Sequence, residues 1–131
     1  MKLVAQGLEC EIALSEPDHE GWMCADVRVK TLAFEGSFAC SLIADEWDAL
    51  ISTLQTLEAA VGEEAAASWV NMEQNIELDF ELHSSGSLEC AYAFSPKVLD
   101  LGPTLSGLFE ADRTYLHGWI VDARDERRGA R

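Results

Sequence analysis

Basic residues are scarce in this chain: 9 Lys and Arg stand against 24 Asp and Glu, a net charge of −15. Four of the bases (Arg124, Arg127, Arg128, Arg131) fall in the last eight residues with Asp125 and Glu126. Residues 1–123 therefore hold five bases against 22 acids, a net of −17. A body of that charge repels nucleic acid and anionic membrane and attracts basic proteins at long range. Acidic surfaces also serve solubility alone, so charge by itself leaves both readings open. Long apolar runs are missing as well, which excludes a transmembrane helix. The start, Met-Lys-Leu-Val-Ala-Gln-Gly, has neither the apolar run nor the cleavage site of a secretory signal, so a cytoplasmic protein is expected.

The sequence also lacks the usual marks of chemistry. Cys10, Cys24, Cys40 and Cys90 form no C-x-x-C pair, and a zinc site draws two ligands from one tight turn. They sit in strand-like patterns and read as reduced structural thiols. The three histidines, His19, His83 and His117, stand in no metal pattern. There is no G-x-S-x-G elbow, P-loop or dinucleotide-binding glycine motif. Neither metal nor cofactor nor enzymatic activity is expected. An enzyme whose residues assemble only in space would need a His–Cys or His–carboxylate pair in a cleft.

What is present is a core and a pattern to build it. The 131 residues fit one domain, and 48% hydrophobic content supplies its interior. Residues 3–14 alternate with Val4, Leu8, Cys10, Ile12 and Leu14 on one parity, which predicts a strand. Residues 15–21 are a turn-rich break. Residues 22–34 and 37–44 predict a strand pair joined by a two-residue turn at Glu35-Gly36, with Ala33 opposite Phe38. Residues 45–61 form a helical stripe of Trp47, Leu50, Ile51, Leu54, Leu57 and Val61, with Asp45 as N-cap and Gly62 past its end.

Strands resume at Trp69–Met72. Residues 76–83 place Ile76, Leu78, Phe80 and Leu82 inward, and Glu77, Asp79, Glu81 and His83 outward. Residues 87–95 place Leu88, Cys90, Tyr92 and Phe94 inward. Two even-parity strands need an odd loop, and Ser84-Ser85-Gly86 supplies it, which sets Leu82 opposite Leu88 and Glu81 opposite Glu89. A last strand over 104–110 leads to a helix capped by Asp112, with Tyr115, Leu116, Trp119, Ile120 and Ala123 buried. The tail from Arg124 to residue 131 is expected to fray. The fold class is α+β: an antiparallel sheet of six or seven strands with two helices, about 45–61 and 112–126, on one face.

Glu77, Asp79, Glu81 and Glu89 then share one outward sheet face. Such a face is either a solvated surface or one that a cationic partner covers. Trp22 projects from the outer face with Cys24, and lies beside the acidic strands if the sheet order is sequential. It either covers the sheet edge or packs under a loop, or it serves as an aromatic hot spot for a basic partner.

The order of elements resembles the WapI-like immunity proteins of bacterial polymorphic and contact-dependent toxin systems. The resemblance runs through Trp22, Phe34-Glu35-Gly36-Ser37-Phe38, Leu42 into Asp45-Glu46-Trp47, then Leu50, Leu54 and Leu57. It continues through Gly62, the strand pair around Gly86, and Asp112-Arg113-Thr114-Tyr115-Leu116. It implies a small cytoplasmic protein that binds and blocks the toxic C-terminal domain of a secreted toxin, often a ribonuclease, and the acidic surface makes a basic domain the expected partner. It supplies no motif residues for a binding site. The rival expectation is a small-ligand or regulatory module with a pocket between sheet and helices.

Overall fold

A computed structural model describes residues 1–97 and 101–130. The chain is α+β, with eight antiparallel strands in two sheets of four and two helices. Strands β1 (Lys2–Ala5), β2 (Leu8–Leu14), β3 (Trp22–Lys30) and β4 (Glu35–Ile43) form the first sheet in sequential order, and helix α1 (Ala44–Ala59) follows. Strands β5 (Ala65–Val70), β6 (Ile76–Leu82), β7 (Ser87–Phe94) and β8 (Leu105–Asp112) form the second in the same order, followed by helix α2 (Thr114–Arg128). Each half is a four-stranded meander followed by a helix.

The halves meet where edge strands β1 and β8 come together. Gln6 and Glu110 exchange backbone hydrogen bonds of 3.0 and 2.9 Å. Gly7 makes this approach possible: its φ is +103°, and a Cβ there would stand 3.0 Å from the Leu108 carbonyl oxygen. α2 packs over the seam against β1, β2 and β8, while α1 packs against β4, β5 and α2. The interior between them is filled with side chains. Trp47, Leu50, Leu54, Leu57, Leu78, Leu88 and Leu116 are all fully buried, each stabilising the fold by roughly 1.5–3 kcal/mol.

Polar groups lock the helices in place. Trp47 Nε1 donates to the Ala123 carbonyl at 2.9 Å, joining α1 to α2. Trp69 Nε1 donates to the Glu46 carbonyl at 2.8 Å, and the Glu46 carboxylate accepts from the backbone N–H groups of Ile43 (2.9 Å) and Met72. One first-turn glutamate thus closes the start of α1 and holds the end of β5 against it.

Several sequence expectations are corrected. Residues 3–14 are two strands, because the Gln6-Gly7 turn reverses the chain. The turn flips the parity, so Leu3 is buried and Val4 is 48% exposed. The β3–β4 hairpin closes at Thr31–Phe34 rather than Glu35-Gly36. Thr31 N donates to Phe34 O at 2.7 Å and Phe34 N donates to Thr31 Oγ1 at 3.0 Å, a side-chain-stabilised turn. Phe38 consequently faces Val27, six residues from the expected Ala33, and Ala33 is exposed in the loop.

Both helices start elsewhere than expected. Ile43, not Asp45, precedes α1, and Arg113, not Asp112, precedes α2. The Asp112 carboxylate still accepts from Thr114 N at 2.8 Å. Val61 and Tyr115 are 68% and 41% exposed, outside the core. Residues 124–128 do not fray: α2 runs to Arg128, and Glu126 Oε1 accepts from Leu14 N at 2.7 Å. Arg131 lies outside the described residues.

Candidate functional site

Alternation in β6 buries Ile76, Leu78, Phe80 and Leu82, and turns Glu77, Asp79 and Glu81 outward. The loop of Ser84-Ser85-Gly86 closes as expected. His83 N donates to Ser87 O and Gly86 N to His83 O, both at 2.9 Å, with Gly86 at φ +93°. Glu81 stands opposite Glu89, and Glu89 stands opposite Glu110 of β8. Three carboxylates thus form one row across three adjacent strands, about 4.8 Å apart from strand to strand. Ala66 of β5 completes that row. The next row reads Ser68, Asp79, Ala91 and Leu108, and the one beyond it Val70, Glu77, Ala93 and Ser106.

No Lys or Arg stands in any strand of this sheet. The neighbours of the acids are small (Ala66, Ser68, Ala91, Ala93, Ser106) or exposed and apolar (Val70 at 48%, Leu108 at 66%). The strands therefore present an acidic face with no Lys or Arg of their own.

The first sheet shows the contrast. Its outer face runs Lys2–Glu11–Arg28 across one row and Glu9–Lys30–Glu35 across the next, alternating in sign. A depression of about 660 Å³ over that face includes the same six side chains in its lining, with Val4, Cys10, Val29, Gly36 and Ser37. A solvated sheet in this protein is thus neutralised across its strands, and the second sheet is not. Two adjacent like-charge pairs cost on the order of 0.5–1 kcal/mol each near water. Replacing the central Glu89 by Gln relieves both. We expect E89Q to gain about 1 kcal/mol in urea denaturation; lower stability would show the row is not repulsive.

The structure brings together Glu77, Asp79, Glu81 and Glu89 as expected and adds Glu110. Register alone could have found Glu110, but the expected strand over 104–110 carried no pairing. Trp22 lies elsewhere: it is half-buried in β3 of the first sheet, opposite Ile43. Its backbone N–H donates to Asp18 Oδ1 at 3.0 Å, and this bond with that from Glu20 N–H holds the Asp18 carboxyl below its ordinary range. Trp22 is therefore not a neighbour of the acidic strands.

His83 Nε2 lies 3.8 Å from Glu89 Oε1. Ligand atoms of Glu81, His83 and Glu89 fall within 4.8 Å of one another, so these three side chains could close on a divalent cation. No sequence motif marked them, because the set spans two strands and exists only through their register. The other histidines also face glutamates: His19 lies 3.5 Å from Glu20 and His117 3.2 Å from Glu58. Burial pushes the thiols of Cys10, Cys40 and Cys90 up to about 12, which leaves them protonated and unreactive at neutral pH. Cys24 is exposed. A thiol-labelling assay on the native protein is expected to modify Cys24 alone, with the other three reacting only after unfolding. Rapid labelling of two or more would contradict the buried positions.

Among the described residues no helix is long and apolar enough to cross a membrane. Residues 4–128, nearly the whole chain, match the model of the immunity protein WapI-like family. No curated protein matches the sequence.

Proposed function

Because this chain belongs to the WapI-like immunity protein family, we propose that it neutralises a cognate bacterial toxin domain by binding it through the acidic face of the second sheet. The family fits a toxin-neutralising role in which the protein acts as a binder and not as an enzyme. The observation that supports the location is the Glu81–Glu89–Glu110 row, without a base in its sheet, set against the sign-alternating face of the first sheet. The toxin domain is a basic protein, of which a nuclease is the leading case. A nuclease cleft lined with Lys and Arg for phosphates fits a flat carboxylate array, and long-range attraction speeds the encounter. Neutralisation takes place in the cytoplasm, by occlusion, without nucleic acid or membrane contact by this chain.

The alternative of a ligand between sheet and helices meets Trp47, Leu54, Leu57 and Leu116 fully buried in that layer, while a cavity of about 500 Å³ opens instead between the two sheets, beside Phe34, Phe38, Phe94 and Leu105. The test is a pull-down with this protein as bait, from its native source or with the product of the adjacent gene. Recovery of a basic toxin domain in a salt-weakened complex is the expected result. A copurifying small molecule that raises the melting temperature, with no protein recovered, would overturn the proposal.

A further inference from the structure

Resting on that reading, we propose that the toxin domain contributes an extended strand that pairs with the open edge of β5, adding a fifth strand to the second sheet. β5 is an edge strand, bonded on one side only to β6. Antiparallel strands bond through alternate residues. Asn71 N donates to Ile76 O, its partner in the continued register, which makes the odd-numbered residues of β5 the ones that bond β6. The backbone groups of Ala66, Ser68 and Val70 therefore point to the open edge, and among the described residues they make no further backbone hydrogen bond.

α1 packs against β5, and its Glu46 accepts from Met72 N just past the strand, but β5 itself carries none of the usual side-chain guards. Its sequence, Ala-Ala-Ala-Ser-Trp-Val, has no Lys, no Pro and no other charge. An edge strand of six residues without charge or Pro is a template for strand addition. The strand β4 also ends its sheet, but the outward residues of its neighbour β3 are Asp26, Arg28 and Lys30, a mixed set. The neighbour of β5 presents only Glu77, Asp79 and Glu81.

The small side chains specify the occupant. Residues of an added antiparallel strand that stand opposite Ala66, Ser68 and Val70 share their outward face. Ala66 and Ser68 are too short to obstruct a long side chain crossing them. β6 lies two strand spacings, roughly 10 Å, from the added strand. An extended Lys or Arg from the added strand can span this gap to meet Glu81 or Asp79. Its alternate residues turn inward beside Ala65 and Ala67, which are half-buried. The occupant is an amphipathic strand with Lys or Arg at every second position and small or apolar residues between them.

The experiment uses the full chain and the toxin domain recovered with it. Ser68→Pro removes an edge N–H without touching the β6 ladder, and Ser68→Ala keeps it. We expect at least a tenfold affinity loss for S68P, less than threefold for S68A, and less than threefold for Ser41→Pro on the β4 strand. Amide exchange at Ala66, Ser68 and Val70 in the wild-type protein should slow by at least a hundredfold in the complex, a readout that does not depend on any variant folding. Toxin binding with unchanged exchange at these three amides would overturn strand addition and leave the immunity reading standing. Absence of any toxin binding by the wild-type chain would overturn both.

Discussion

Reversing Glu77, Asp79 and Glu81 together to lysine is expected to weaken toxin binding by at least about a thousandfold while leaving the fold intact. Turning three attractions into repulsions at roughly 1.5 kcal/mol each amounts to more than 4 kcal/mol, or three powers of ten. The fold has no stake in these carboxylates. None of the three makes a side-chain hydrogen bond or an ion pair among the described residues, and their inward neighbours Ile76, Leu78, Phe80 and Leu82 supply the burial that holds β6. A lysine at position 81 would also face Glu89, replacing a repulsive pair with an attractive one. The melting temperature should therefore hold or rise. Calorimetric titration of the triple variant against the toxin domain checks this, and affinity within threefold of wild type would remove the face from the account.

Trp47→Ala is expected to have the largest effect on stability. Trp47 is fully buried at the junction of α1 and α2, and its indole N–H satisfies the Ala123 carbonyl. Truncating a buried Trp costs about 3–5 kcal/mol, and loss of the second hydrogen bond on the Ala123 carbonyl adds on the order of 1 kcal/mol. Domains of this size hold about 5–15 kcal/mol in total. A fall in melting temperature of about 10–20 °C is expected by thermal denaturation. Trp47→Phe refills most of the volume but not the hydrogen bond, so it should fall between the two. A shift of less than about 3 °C for the Ala variant would mean that the two helices do not depend on this contact.

The β6–β7 hairpin was legible because both strands alternate strictly and Gly86 fixes an odd loop, so parity and turn chemistry left one register. The same logic failed at β3–β4. Parity forbids a one-residue slip but permits even shifts of register, and Glu35-Gly36 resembles a hairpin turn more than Thr31–Phe34 does. The structure chose the turn that the Thr31 hydroxyl can stabilise. The sequence pattern merges β1 and β2 because apolar residues continue on both sides of Gln6-Gly7, and it starts the fifth strand at Trp69 rather than Ala65 because Ala-Ala-Ala-Ser has no strand signature of its own.

Of the site, Glu77, Asp79, Glu81 and Glu89 followed from local pairing. Glu110 did not, since its place depends on β8 joining β7. Trp22 falls beside the acids only if all the strands join one sheet in sequential order. Nothing along the chain announces that the order breaks after β4, where α1 carries the chain to a second sheet.

The most direct test of the proposed function is the affinity of the wild-type protein for the product of the adjacent gene, measured by calorimetry from about 50 to about 500 mM salt, concentrations on the order of those that screen surface charge. The expected result is a tight one-to-one complex whose affinity falls steadily as salt rises. No binding, or binding indifferent to salt, would contradict an acidic face that covers a basic toxin.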